Sequence, residues 1–167
     1  MDTRSLSVGA GLVVDELDIA ILANSPGQMP VDRVLRLPER LHAFALVHEV
    51  ESLRRSKHAG PLPSHHLAQN HPLVLAIRGR VLPLGQARNR KAAIDELLAH
   101  VGHVAGDRLD AWAIGHGDAS DIDAVVEHVS GMLGLPSRFC TLLDPTVGAH
   151  LGPESLVIGA IGGMPTP

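Results

Sequence analysis

The chain has 167 residues, 45% of them hydrophobic, and a formal net charge of −4. That length allows one domain, or a large part of a two-lobed protein, with enough apolar material for a real core. Phe44, Trp112 and Phe139 are the only aromatics and the arginines and lysines are scattered, so neither a base-stacking platform nor the electrostatic footprint of a nucleic-acid binder is present.

The lone cysteine, Cys140, cannot form an internal disulfide. In the apolar stretch 138–143 it reads as a small core residue rather than a nucleophile, and it fits a reducing compartment. Asp15, Glu16 and Asp18 interrupt the first apolar run before it reaches the length of a signal or a membrane span, so the sequence reads as cytoplasmic with no membrane span. Residues 162–167 read as a frayed end.

Turn formers and two glycines over residues 2–11 lead into a helix from Leu12 to Leu22, which Asn24 and Pro26 stop. A second, short helix begins at Pro30 and sets Val31, Val34 and Leu35 on one face until Pro38 breaks it. His42–Val47 is a buried strand, followed by a polar helix through Glu49, Glu51, Arg54 and Arg55 that ends near Gly60. Residues 61–70 are a connection containing His65 and His66, and Pro72–Ile77 resumes strand character. Gly79 turns the chain into residues 80–84, the return arm of a hairpin, where Pro83 argues for a sheet edge.

Asn89 caps the clearest helix, with Ile94, Leu97, Leu98 and Val101 as its buried stripe. Residues 109–115 form a strand. Ser120 caps the next helix, with Asp123 three residues on; Ile122, Val125, Val126, Val129 and Leu133 are its core stripe and Gly134 ends it. Residues 139–143 and 156–161 are the last two strands. The order from residue 72 is hairpin, helix, strand, helix, strand, loop, strand. It predicts an α/β fold, a layered sheet with packed helices.

The stretch Val147–Ser155 sets His150 between Gly148 and Gly152 in a loop whose exit Pro153 rigidifies. An imidazole held there can hydrogen-bond a small anion such as a carboxylate; the same composition also makes an ordinary turn, with His150 as its cap. Eleven histidines raise the question of a metal, with His65, His66, His71, His100, His103, His116 and Asp118 as candidate ligands. No third ligand falls at a recognisable interval, so solvated histidines fit better and no metal is expected. His116-Gly117-Asp118 ends a strand, a place for acid/base chemistry or simply a helix-entry turn. There is no nucleophile elbow or P-loop. Arg78, Arg80, Arg88, Arg90 and Lys91 form the densest basic group, either a contact for a phosphate or an acidic partner, or a solvated face.

Several short motifs, in one order, resemble the DegV family of bacterial fatty-acid-binding proteins. Residues 2–11 are similar to the Asp-Ser, Ser and Gly-x-Gly segment that closes that family's first lobe, and Val50-Glu51-Ser52-Leu53-Arg54-Arg55 to its Leu-Glu-Tyr-Leu-Arg-Arg helix. His71-Pro72-Leu73-Val74-Leu75 stands where the family has Lys-Pro-Ile-Leu. Gly79 with Val81–Leu84, Arg88–Ala92 and Gly115–Ala119 follow the same template, and Gly148-Ala149-His150-Leu151-Gly152-Pro153 resembles the closing Gly-x-His-x-Gly-Pro.

The resemblance implies two α/β lobes with a fatty acid between them, of which this chain matches the later part. Residues 1–41 would be a remnant of the end of the first lobe and 42–167 the C-terminal α/β lobe. It implies a lipid carrier rather than an enzyme, with no cofactor other than the bound fatty acid. His150 would contact the carboxylate, and Gly148 and Gly152 would support the ligand. The family's Thr/Ser hydroxyls, which share that carboxylate, fall in the unmatched part. After Arg55 the family's Gly-Gly-Arg-Ile is replaced by Ser56-Lys57-His58-Ala59, so His58 or Lys57 stands in for its arginine. The implied partners are a long-chain fatty acid, a fatty acid kinase on which the loaded carrier docks, or a chain supplying the missing lobe. Each buried methylene contributes about 0.8 kcal/mol, so the tail dominates affinity and the head group sets orientation. The competing readings are a small metal- or acid/base-dependent hydrolase using His116, Asp118 and His150, and a degenerate lobe that acts only in protein–protein pairing.

Overall fold

The computed structural model describes residues 5, 7–23, 28–47, 73–77, 81–105 and 108–162. Their elements, in chain order, are α1 (Val8–Leu22), α2 (Gln28–Arg40), β1 (Leu41–Val47), β2 (Leu73–Ile77), β3 (Val81–Gln86), α3 (Arg90–Ala105), β4 (Leu109–His116), α4 (Ile122–Leu133), β5 (Cys140–Leu142), α5 (Pro145–Leu151) and β6 (Leu156–Gly162). The strands form one sheet in the order β3-β2-β1-β6-β4-β5. Every neighbouring pair is antiparallel except β4 and β5, which run parallel.

Period-two alternation divides the central strands between two cores. Ala43, Ala45 and Val47 of β1, Ala111 and Ala113 of β4, and Val157 and Ile161 of β6 face α1 and α2, where they meet Val8, Leu12, Val13, Val34 and Leu37. Phe44, Leu46, Trp112, Ile114, Leu156 and Ile158 face the other way onto Ile94, Leu97, Leu98 and Val101 of α3 and Val125 and Val129 of α4. The α/β expectation therefore holds as helices on both faces of one sheet, and β6 is apolar throughout because it is covered on both sides. Arg40 fastens the end of α2 to the sheet: its Nε donates to the Gly162 carbonyl at 2.9 Å and its Nη2 to Asp110.

The local signals at α3 and α4 act as read. The Asn89 side chain accepts the Ala92 N–H at 2.9 Å, and Gly134 ends α4 at a φ of 65°. β3 is the edge strand that Pro83 requires, and the ladder shifts there: Val74 pairs with Gly85 and Leu75 with Pro83, so Leu84 is the extra, bulged residue.

Four local readings are corrected. α1 starts at Val8, with Gly9 and Gly11 inside it rather than in a leading turn, because these glycines seat the helix against β6 and Phe139. Pro38 lies within α2 rather than ending it, in the last turn, where the missing N–H forfeits a single late bond. Asp121, not Ser120, occupies the N-cap of α4. Cys140 is exposed rather than in the core, because β5 is the other edge strand and none of its residues is covered. The polar helix expected over 49–60 and the connection over 61–70 lie outside the described residues.

Candidate functional site

β4 ends at His116, and its pairing with the following strand continues one step further through the Leu143 N–H, which donates to the His116 carbonyl at 2.9 Å. Asp144 then turns the chain. Its carboxylate accepts the N–H groups of Thr146 and Val147 at 3.0 and 3.1 Å, and Pro145 fills the first helical position. The result is the short helix α5, which Gly152 ends at a φ of 81°. His150 is therefore in the last turn of a helix, half-buried, and not in a glycine-flanked loop. The Asp144-Pro145 pair was the sequence signal for that helix.

The chain after α5 folds back on the end of β4. Gly117 N–H donates to the Ser155 carbonyl at 2.9 Å, and Glu154 N–H donates to the Gly117 carbonyl at 2.8 Å. The buried Ser155 hydroxyl donates to the Gly152 carbonyl at 2.7 Å and closes the turn. Gly117 has no room for a side chain: a Cβ would stand 2.7 Å from both the Gly152 carbonyl oxygen and Ser155 Oγ. His116, Gly117 and Asp118 thus line a cleft of about 260 Å³ together with Gly148, Gly152 and Pro153, and with Leu142 and Leu143. The two motifs that stood out in the sequence, 34 residues apart at Asp118 and Gly152, share one cleft.

The remaining candidates separate. His116 Nδ1 accepts the Ala119 N–H at 3.2 Å, which commits that nitrogen to the turn rather than to Asp118. His100 stacks on Phe44 with ring centroids 6.0 Å apart. Among the described residues no group of three His, Cys, Asp or Glu can hold a metal ion. His58, Lys57, His65, His66, His71, Arg78 and Arg80 lie outside the described residues. Of the basic group, Arg88 is exposed and Lys91 pairs with Asp95 at 2.9 Å. Arg90 is spent internally, in a bidentate pair with Asp121, so it is not the surface charge that the sequence suggested. With Asp121 and Glu154 it forms a clamp beside the cleft that sequence reasoning missed, since its partners lie 31 and 64 residues further on.

This six-stranded sheet with helices on both faces has the fold of part of known DegV family structures. The chain is 22% identical over 159 residues to a DegV domain-containing protein of Clostridium acetobutylicum, covering 93% of this chain and 57% of the relative. A stearic acid-binding protein from Eubacterium ventriosum superposes with a TM-score of 0.86 at 15% identity, over 97% of this chain and 58% of that one. A DegV family protein from Eubacterium eligens loaded with heptadecanoic acid gives 0.85 at 10% identity, over 98% and 60%. One from Thermus thermophilus, described as fatty acid binding, gives 0.81 at 23% identity, over 98% and 60%. No family model matches the chain. The chain spans less than two thirds of the length of these relatives. The three solved structures are described as fatty acid binding or loaded with a fatty acid, and none of them supports the hydrolase or the pairing-only reading. No helix among the described residues is long and apolar enough to cross a membrane.

Proposed function

We propose that the chain is the C-terminal lobe of a DegV-type carrier that binds a long-chain fatty acid and does not transform it. The observation that carries this reading is the convergence of His116, Gly117 and Asp118 with Gly148, Gly152 and Pro153 on one cleft, with His150, outside the lining residues, on the last turn of the helix that leads into it. A small cleft with an imidazole, that of His116, in its lining suits a carboxylate, which needs hydrogen-bond donors and no nucleophile. His150 is the head-group contact and Gly148 and Gly152 shape the wall beside it. His58 takes the place of the family's arginine. Exposed Leu142 on the lining gives the first methylenes an apolar start.

In this reading residues 1–41 are a remnant of the end of the first lobe and 42–167 the C-terminal lobe, and a chain supplying the first lobe completes the carboxylate site. A fatty acid kinase is the partner that would act on the loaded carrier. We place the protein in the cytoplasm, where a fatty acid needs a carrier and an unpaired exposed thiol stays reduced. Native mass spectrometry of protein purified from cells, followed by lipid extraction, tests the proposal. One fatty acid per protein is the expected result. No fatty acid, with or without a chain carrying the first lobe, overturns it, and a stoichiometric metal would point to hydrolysis instead.

A further inference from the structure

Arg90 ties together segments that are distant in sequence. It opens α3, and its Nε and Nη2 donate to Asp121 Oδ2 and Oδ1 at 2.7 Å each, just ahead of α4. Its Nη1 donates to the Glu154 carbonyl at 2.6 Å, in the turn ahead of β6. Glu154 is equally committed. Its N–H bonds Gly117, its carboxylate receives the Ser120 N–H at 3.3 Å, and that carboxylate lies 3.9 Å from Arg90 Nη2. Glu154 has a φ of 58°, in the left-handed region that a side chain resists, so these ties hold a backbone that would otherwise relax. The segments they join both line the cleft, one with Gly117 and Asp118 and the other with Gly152 and Pro153.

We propose that Arg90, acting through Asp121 and Glu154, is the positioning residue that fixes the two cleft-lining segments against each other and so the hold on the ligand's head group. The identity of that ligand rests on the fatty-acid reading above. Arg90 itself is outside the cleft lining, with 18% of its side chain exposed and its donors turned onto protein oxygens. A planar fork is required. Lysine keeps the charge but cannot hold a carboxylate at two points and a carbonyl at a third.

The test compares wild type with Arg90→Lys and Asp121→Asn in the full chain, by hydrogen exchange at the Gly117 and Glu154 amides and by the rate at which bound stearate passes to phosphatidylcholine vesicles. In the variants those two amides should exchange faster while amides in β4 and mid-α3 stay protected, and stearate should leave about tenfold faster. Unchanged exchange overturns the clamp, and faster exchange with unchanged release overturns its role in positioning. If wild type takes up no stearate, with or without a chain carrying the first lobe, the fatty-acid reading falls and the exchange data alone decide the clamp. Should Arg90→Lys fail to fold, Glu154→Gln, which weakens only the carboxylate's hold on Ser120 and Arg90, serves the same comparison.

Discussion

Gly9 of α1 and Gly159 of β6 meet backbone to backbone: a Cβ built on Gly159 would stand 3.1 Å from both the Cα and the nitrogen of Gly9. Neither atom is the far end of a flexible side chain, so the helix must move if the space is filled. Gly159→Ala should cost about 1–3 kcal/mol through overpacking, read as a lower thermal midpoint. An unchanged midpoint would mean that α1 does not sit this closely on the sheet.

Glycines in open positions should behave in the opposite way. Gly102 in α3 and Gly131 in α4 have nothing within 4 Å of an added Cβ. Alanine there lowers the entropy lost on folding, so Gly102→Ala and Gly131→Ala should each stabilise by about 0.5–1 kcal/mol. Urea midpoints of the two single variants and the double variant check both the sign and the additivity.

Trp112 is the chain's only tryptophan and is fully buried, with its Nε1 donating to the Leu135 carbonyl at 2.8 Å. Its emission should be blue-shifted in the native protein and should move to the red in one step with loss of helical circular dichroism. Native emission at the wavelength of free tryptophan would contradict a closed core between β4, α3 and α4.

Much of this was written locally. The stripes Ile94-Leu97-Leu98-Val101 and Val125-Val129 are the buried faces of α3 and α4, because helical spacing alone decides which residues meet a sheet. The hairpin of β2 and β3 and the edge position of Pro83 follow from one glycine and one proline. What could not be read locally depends on topology. β6 closes the chain yet lies in the middle of the sheet, and β5 is an edge strand, which is why Cys140 is exposed despite its apolar neighbours. The cleft was half legible: both of its motifs were visible, but only the crossing of β4 by the turn before β6 brings them together. The Arg90 clamp was invisible, since a surface-like basic run and an internal ion pair look the same along the chain.

Cys140 offers a check on that edge position. Partial desolvation first, and the carboxylate of Asp123 second, push its thiol up from the ordinary value. A raised value leaves less thiolate at neutral pH, so iodoacetamide should modify the native protein without unfolding it, yet more slowly than it modifies free cysteine, and the rate should climb as pH rises. Asp123→Asn should speed labelling by removing one of the two causes. Labelling that requires denaturant would place Cys140 in the core after all.

His150 is where fold and proposed function can be separated. It lies half-buried in the last turn of α5, a helix whose other end is secured by Asp144 and whose exit is closed by the buried Ser155–Gly152 hydrogen bond. His150→Ala should weaken affinity for the fatty acid about 10- to 150-fold, the share of a hydrogen bond to a charged group, about 1.5–3 kcal/mol, and less fatty acid should co-purify with the protein. The tail's apolar contribution is untouched, so retention should weaken rather than vanish. His150→Gln, which keeps a donor at similar reach, should recover part of the loss. Equal retention in wild type and His150→Ala would remove His150 from the site, whereas a collapse in stability would make it a structural residue of α5.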